Sequence, residues 1–134
     1  MELIEKCKAI ACEIFNDLGS GFDEPIYQKA FEVALRLDGT TYENQKIVPI
    51  FYKGYNIGEG KIDLLIHFET ENLIIELKAI VAISPKDTTQ LKKYMELTGI
   101  NNGLLINFPQ VGTAKKGCLV QEPEIITLPT DINK

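Results

Sequence analysis

The chain has one histidine, one arginine and three cysteines in 134 residues, and each shortage removes a class of function. With His67 alone, the sequence argues against a His-based hydrolase triad or a multi-His metal centre. With Arg36 as the only arginine, little is left for bidentate reading of base edges, so sequence-specific duplex recognition is not expected. Three cysteines (Cys7, Cys12, Cys118) cannot form a fully paired framework. None lies in a Cys-x-x-Cys pair, so a thiolate zinc site is not expected, and Cys7 reads as a buried thiol on a helix stripe. No apolar run approaches the ~18–20 residues that span a bilayer. The first residues, MELIEKCKAIACEIF, mix acids with apolar residues and resemble neither a signal nor a transit peptide. The expected compartment is cytoplasmic.

What is present is ordinary for one globular domain over residues 1–134: 45% apolar and 25% charged residues. The formal charge of −5 argues against a protein held to nucleic acid by bulk positive charge. It leaves room for a metal-dependent site, which is itself acidic and whose cation inverts the local field.

Apolar residues at 3, 4, 7, 10, 11, 14, 15 and 18 keep a 3.6-residue period, which predicts an amphipathic helix over 3–18. Gly19-Ser20-Gly21 breaks it. A second helix is expected from Asp23, with Pro25 in its first turn, to Asp38-Gly39. The period then changes. Strands are expected at 46–52, where Pro49 points to an edge or a bulge, at 61–68 and at 73–79, with turns at 53–58 and 69–72. Ser84-Pro85-x-Asp87 reads as the start of a helix that ends at Gly99. Strands at 103–108 and 124–128 follow, and the tail to Lys134 reads as frayed. The order α-α-β-β-β-α-β-β, with central strands apolar on both faces, predicts an α/β fold with a central mixed sheet flanked by helices on both faces.

Three charges interrupt the apolar strands: Asp63 in KIDLLIH, and Glu76 and Lys78 in LIIELKA. Alternation puts Ile74, Glu76 and Lys78 on one face, and the short turn makes the two strands antiparallel neighbours, so Asp63 can lie beside Glu76. Charges in a covered sheet are costly unless paired or bound to metal. The pattern leaves two readings open. One is an internal Glu–Lys–Asp ion-pair set at a strand end. The other is a hard-oxygen site for Mg²⁺ or Mn²⁺, with Lys78 two residues on to hold a water or neutralise a phosphate.

Asp63, a hairpin, then Glu76-Leu77-Lys78 resembles the PD-(D/E)XK nuclease superfamily. Gly21-Phe22-Asp23-Glu24-Pro25-Ile26-Tyr27 matches Gly-x-x-Glu-x-x-Tyr and resembles the GxxExxY protein family. So do Gln28-Lys29-Ala30-Phe31, Tyr52-Lys53-Gly54, IIELKA, the Gln90/Tyr94 pair and GLLINF at 103–108. The residue before Asp63 is Ile62 where the motif has proline. This resemblance implies a restriction-endonuclease-like core and a metal-dependent nuclease acting on DNA or RNA. Asp63, Glu76 and the Leu77 carbonyl become metal ligands, Glu24 a further acid of the site, and Lys78 the residue that orients the attacking water. Gln90 and Tyr94, one helical turn apart, are expected to touch substrate or brace Lys78. Mg²⁺ or Mn²⁺ is the expected cofactor and nucleic acid, DNA first, the expected partner. Specificity then comes from substrate shape, a homodimer or a partner protein.

Rival readings stay open. A non-catalytic nucleic-acid- or protein-binding module could keep the fold, and the low Lys/Arg content favours it. An enzyme acting on another phosphate ester is a third reading. Taken singly, Glu24 reads as a helix-dipole acid, His67 as a sheet residue, and Lys92-Lys93 and Lys115-Lys116 as a solvated face or phosphate contacts. Gly54, Gly58 and Gly60 precede a strand rather than a helix, so they form no phosphate loop.

Overall fold

In a computed structural model, the structure describes residues 2–110 and 122–129. Cys118, Lys115-Lys116 and the tail from 130 lie outside them. The elements are α1 (Glu2–Leu18), α2 (Glu24–Asp38), β1 (Thr41–Tyr52), β2 (Tyr55–Phe68), β3 (Glu71–Lys78), α3 (Pro85–Thr98), β4 (Gly103–Asn107) and β5 (Glu124–Leu128). The strands form one mixed sheet in the order β1-β2-β3-β4-β5. Only β3 and β4 are parallel. They are joined through α3, since a parallel pair needs a long crossover rather than a tight turn.

The stripe read in the sequence is the face that α1 buries: Leu3, Ile4, Cys7, Ala11, Ile14 and Phe15. With Tyr27, Phe31 and Leu35 of α2, these residues pack on Leu64, Ile66, Leu73, Ile75, Leu77, Leu104 and Ile106 of the sheet. The opposite face carries Val48, Ile62, Leu65, Ile74 and Leu105 against Leu91 and Tyr94 of α3. The sheet is therefore covered on both sides, as its doubly apolar strands require. Burial inside the first cluster pushes the Cys7 thiol up to about 12, which keeps it protonated and inert. Cys12 is exposed.

Helix starts follow the local signals with one difference. Asp87 Oδ2 accepts the Ser84 N–H at 2.9 Å and its hydroxyl at 3.1 Å, closing the expected start of α3. Asp23 occupies the N-cap of α2, but its side chain makes no cap bond.

The hairpin between β1 and β2 corrects the sequence reading. Residues 53–58 are not a long turn. The turn is Lys53-Gly54 alone, both at positive φ (50° and 83°), the two-residue type I′ geometry that suits strand twist. Tyr52 pairs with Tyr55, and pairing continues down to Thr41 and His67. The Gly- and Asn-rich segment becomes strand because β1 supplies its hydrogen bonds, although its own composition disfavours strand. β1 likewise begins at Thr41 rather than 46, and β3 at Glu71 rather than 73. Pro49 lies on the outer strand, one residue before the register shift at Ile50/Phe51.

Candidate active site

The ladder between β2 and β3 runs from Phe68↔Glu71 to Leu64↔Ile75 and stops there. At the next step Asp63 faces Glu76, and side chains replace the backbone pairing. The Leu77 N–H donates to Asp63 Oδ2 at 2.8 Å, and the Asp63 N–H donates to Glu76 Oε1 at 3.4 Å. On the other side, β1–β2 pairing skips Gln45, which sits at φ 48°. Gln45 Nε2 donates to Gln28 Oε1 at 3.0 Å, and Gln28 Nε2 reaches the Asp63 carbonyl at 3.4 Å. Strict alternation would put Ile62, Leu64 and Ile66 on one face. Instead Ile62 packs with Leu91 and Tyr94, whereas Leu64 and Ile66 pack under α1 and α2. The sheet thus opens at Asp63, and side chains take over the Asp63 N–H and carbonyl and the Leu77 N–H.

Glu76 is only 5% exposed. Burial first, then the Asp63 charge, pushes its carboxyl up to about 9. Burial also raises Asp63, opposed by the Leu77 N–H and by Lys78. The two carboxyls titrate as a pair. Glu24, the first residue of α2, is raised by burial and by the Asp63 charge, with Lys78 opposing. Lys78 opposes the rise at all three acids. Its ammonium stands 3.9 Å from Asp87 Oδ1 at the start of α3.

Residues of the Gly-x-x-Glu-x-x-Tyr stretch explain how Glu24 arrives there. Gly21 takes φ 111°, which a side chain rarely adopts, and its N–H donates to Gln110 Oε1 at 2.8 Å. The Tyr27 hydroxyl donates to the Gly19 carbonyl at 2.6 Å and accepts the Phe22 N–H at 3.4 Å. Its ring stacks on Phe108 at 4.5 Å. The loop before α2 is pinned at both ends, and the first helical turn faces the opened sheet.

Asp63, Glu76, Lys78 and Glu24 therefore converge. Gln90 is exposed, and Tyr94 is largely buried in the cluster beneath α3. The partner of Lys78 is Asp87 rather than either of them. Asp87 reads locally as a helix-start acid; the only hint of its second role is that α3 must cover the face carrying Lys78. Asn107 is a further residue that the sequence reading leaves unassigned. It is fully buried, opposite Lys78, and holds the chain after β3 by bonds to the Ile80 N–H and carbonyl (2.9 and 3.1 Å) and to Glu124 (2.8 Å). His67 pairs with Glu43 and Asn72 within the sheet.

The acids act on one another pairwise: among the described residues, no three His, Cys, Asp or Glu side chains form a ready-made metal cage. Their chemistry nonetheless fits a hard cation. The buried Glu76 carboxyl and the half-buried Asp63 carboxyl, both held above their usual range by desolvation, with the Asp63 charge adding to the rise at Glu76, mark a place short of positive charge. Raised acid pKa values also fix a sign. In the metal-free protein, Glu76 binds more protons folded than unfolded between about pH 4.5 and 9, so its contribution to stability falls as pH rises through that window.

A family model described as the PD-(D/E)XK nuclease superfamily matches residues 1–119. The chain belongs to that superfamily. The mixed five-stranded sheet with helices on both faces is consistent with a PD-(D/E)XK core. A solved structure, "Crystal structure of SSO0001", matches with a TM-score of 0.54 and 18% identity over 78% of this chain and 48% of that one. At that identity the likeness shows the fold alone, and the chain spans about half the length of that structure. No curated protein matches the chain significantly. Among the described residues no helix is long and apolar enough to cross a membrane.

Proposed function

We propose that this PD-(D/E)XK protein is a metal-dependent nuclease of the GxxExxY subgroup that hydrolyses phosphodiester bonds in DNA or RNA. The observation that carries the reading is the opened sheet at Asp63. There the buried Glu76 carboxyl faces the half-buried Asp63 carboxyl with Lys78 beside them, an arrangement that is costly unless it is used. Asp63 and Glu76 are the cation's ligands, with the Leu77 carbonyl and Glu24 as further donors. When bound, Mg²⁺ or Mn²⁺ supplies Lewis acidity and activates water. Lys78 holds the attacking water in line with phosphorus and offsets the negative charge developing on the phosphate. Asp87, 3.9 Å from the ammonium, aims Lys78. Asn107 fixes the backbone that carries it.

The test is cleavage of supercoiled, linear, branched and single-stranded DNA and of RNA with Mg²⁺ or Mn²⁺, with an EDTA control and Lys78→Ala run beside the wild type. Cleavage that needs both the metal and Lys78 is expected, with Lys78→Ala reducing the rate by about 10²–10³-fold. Activity that survives in Lys78→Ala overturns the assignment. No cleavage across the panel favours a binding module.

Cation binding has its own signature. Burial holds the Glu76 carboxyl protonated near neutral pH, so Mg²⁺ must displace a proton there. Titration calorimetry in buffers of different ionisation enthalpy is expected to show proton release and an affinity that rises with pH towards 9. Buffer-independent heats and a flat pH profile would remove Glu76 from the ligand set.

A further inference from the structure

The β1–β2 hairpin outgrows the sheet. β2 pairs with β3 only from Leu64 onward, yet it begins at Tyr55 and pairs with β1 down to Tyr52. Residues 46–62 are therefore a two-stranded ribbon, and Tyr55 lies ~26 Å along it from Asp63 at about 3.3 Å per residue. Such a ribbon is marginal alone in water. It is braced at its base by the Tyr94 ring, which lies so close over Gly60 that a Cβ there would meet it at 2.5 Å.

The outer half is exposed and aromatic. Tyr52 is 60% exposed, Tyr55 76% and Phe51 59%. Val48 packs against α3, so alternation puts Ile50 and Tyr52 on the α3 face. Tyr55, opposite Tyr52, shares it. Ile74 packs there as well, which puts Glu76 and Lys78 on the same face. Between the tyrosine pair and the acids, Gly58 leaves the backbone of β2 without a side chain on that face, and at Gly60 the Tyr94 ring covers it. Phe51 points to the other face.

We propose that the exposed Tyr52–Tyr55 pair at the ribbon tip is a stacking platform for unpaired bases of a single-stranded nucleic acid that is cleaved at Asp63 and Glu76. The inference rests on the nuclease reading of that site and adds its substrate class. Duplex bases already stack on one another, so exposed rings gain most from a single strand. Charge favours the same occupant. The chain carries −5 overall, but residues 46–61 hold Lys46, Lys53 and Lys61 against Glu59 alone. The tip, 52–55, has Lys53 and no acid, with the Lys53 ammonium 5.4 Å from the Tyr52 ring centre. A second copy fits less well. A two-fold contact through the tips sets Lys53 against Lys53, and Pro49 removes an N–H from the outer strand.

Binding of fluorescein-labelled dT20 and of a hairpin duplex, read by anisotropy in EDTA on the full chain, tests the proposal. The wild type is expected to prefer dT20. Tyr52→Ala/Tyr55→Ala is expected to weaken dT20 binding by about 30-fold or more, the change that two lost base–aromatic stacks produce. Tyr52→Phe/Tyr55→Phe retains binding within about threefold, since the rings remain, and Phe51→Ala, on the other face, within about twofold. Equal loss in Phe51→Ala, no loss in the double alanine variant, no dT20 binding by the wild type, or a duplex preference overturns it. So does a wild-type dimer that the double alanine variant converts to monomer, measured by light scattering, since the ribbon is then a self-interface. Cleavage is read separately. Ring-dependent binding without cleavage leaves the platform and removes the nuclease reading; Lys78-dependent cleavage without ring dependence does the reverse.

Discussion

Glu76→Gln is expected to abolish cation-dependent cleavage while making the metal-free protein more resistant to heat. At neutral pH the buried Glu76 carboxyl, pushed up to about 9, is mostly protonated, and glutamine copies the shape of the neutral acid. Its carbonyl can still accept the Asp63 N–H that Glu76 Oε1 takes at 3.4 Å. The fold therefore loses no hydrogen bond, and the unfolded chain no longer gains from ionising residue 76. An increase of roughly 2–5 °C in Tm in EDTA is expected, the shift that about 1 kcal/mol produces in a chain of this size. The advantage over the wild type should vanish below about pH 4.5, where residue 76 is neutral in the unfolded chain too, and widen towards pH 9, since the unfolded wild-type acid is ionised while the folded one stays protonated. Catalysis moves the other way. Glutamine cannot neutralise a cation, and losing several kcal/mol of Lewis-acid stabilisation lowers the rate on the order of 10³-fold. The Mg²⁺-induced rise in Tm should vanish with it. Thermal scans with and without Mg²⁺ at three pH values, beside a cleavage assay, read all four effects. A variant that melts lower in EDTA and still responds to Mg²⁺ would place Glu76 in a structural ion pair instead.

Tyr27→Ala is expected to cost about 3–5 kcal/mol of stability, as other large buried aromatics do, out of a total of ~5–15 kcal/mol for a typical domain. The Tyr27 side chain is fully buried and lies nearly parallel to Phe108, with ring centres 4.5 Å apart and planes 6° apart. Its hydroxyl ties Gly19, Phe22 and Gln110 together, so truncation removes a packed ring and frees the loop that aims α2. Tyr27→Phe keeps the stack and is expected to cost only ~1 kcal/mol. Its larger effect should fall on the site, because Glu24 follows that loop by a few residues: cleavage should need more Mg²⁺ while unfolding stays cooperative. Urea titrations with an unchanged slope give the stability losses. A loss below about 1 kcal/mol for Tyr27→Ala would mean that Phe108 and α2 close over the gap.

Much of the architecture is legible in local pattern. The apolar period of residues 3–18 is the buried face of α1, and Ser84-Pro85-x-Asp87 is the closed start of α3. The strand expected at 124–128 is β5. These features depend on neighbours a few residues away, which a sequence displays directly. The Gly- and Asn-rich segment at 53–60 does not obey its own composition, because its hydrogen bonds come from β1.

The site divides along the same line. The sequence by itself determined which chemistry is available: carboxyls at 63 and 76 where the strands want apolar residues, a lysine two positions on, and an acid at the start of a helix. Tertiary structure alone decided how they are used. It opens the sheet at Asp63, reverses the alternation there, and sets Asp87 rather than Gln90 or Tyr94 beside Lys78. Those outcomes come from strand pairing and helix docking between residues far apart in the chain, which no local period records.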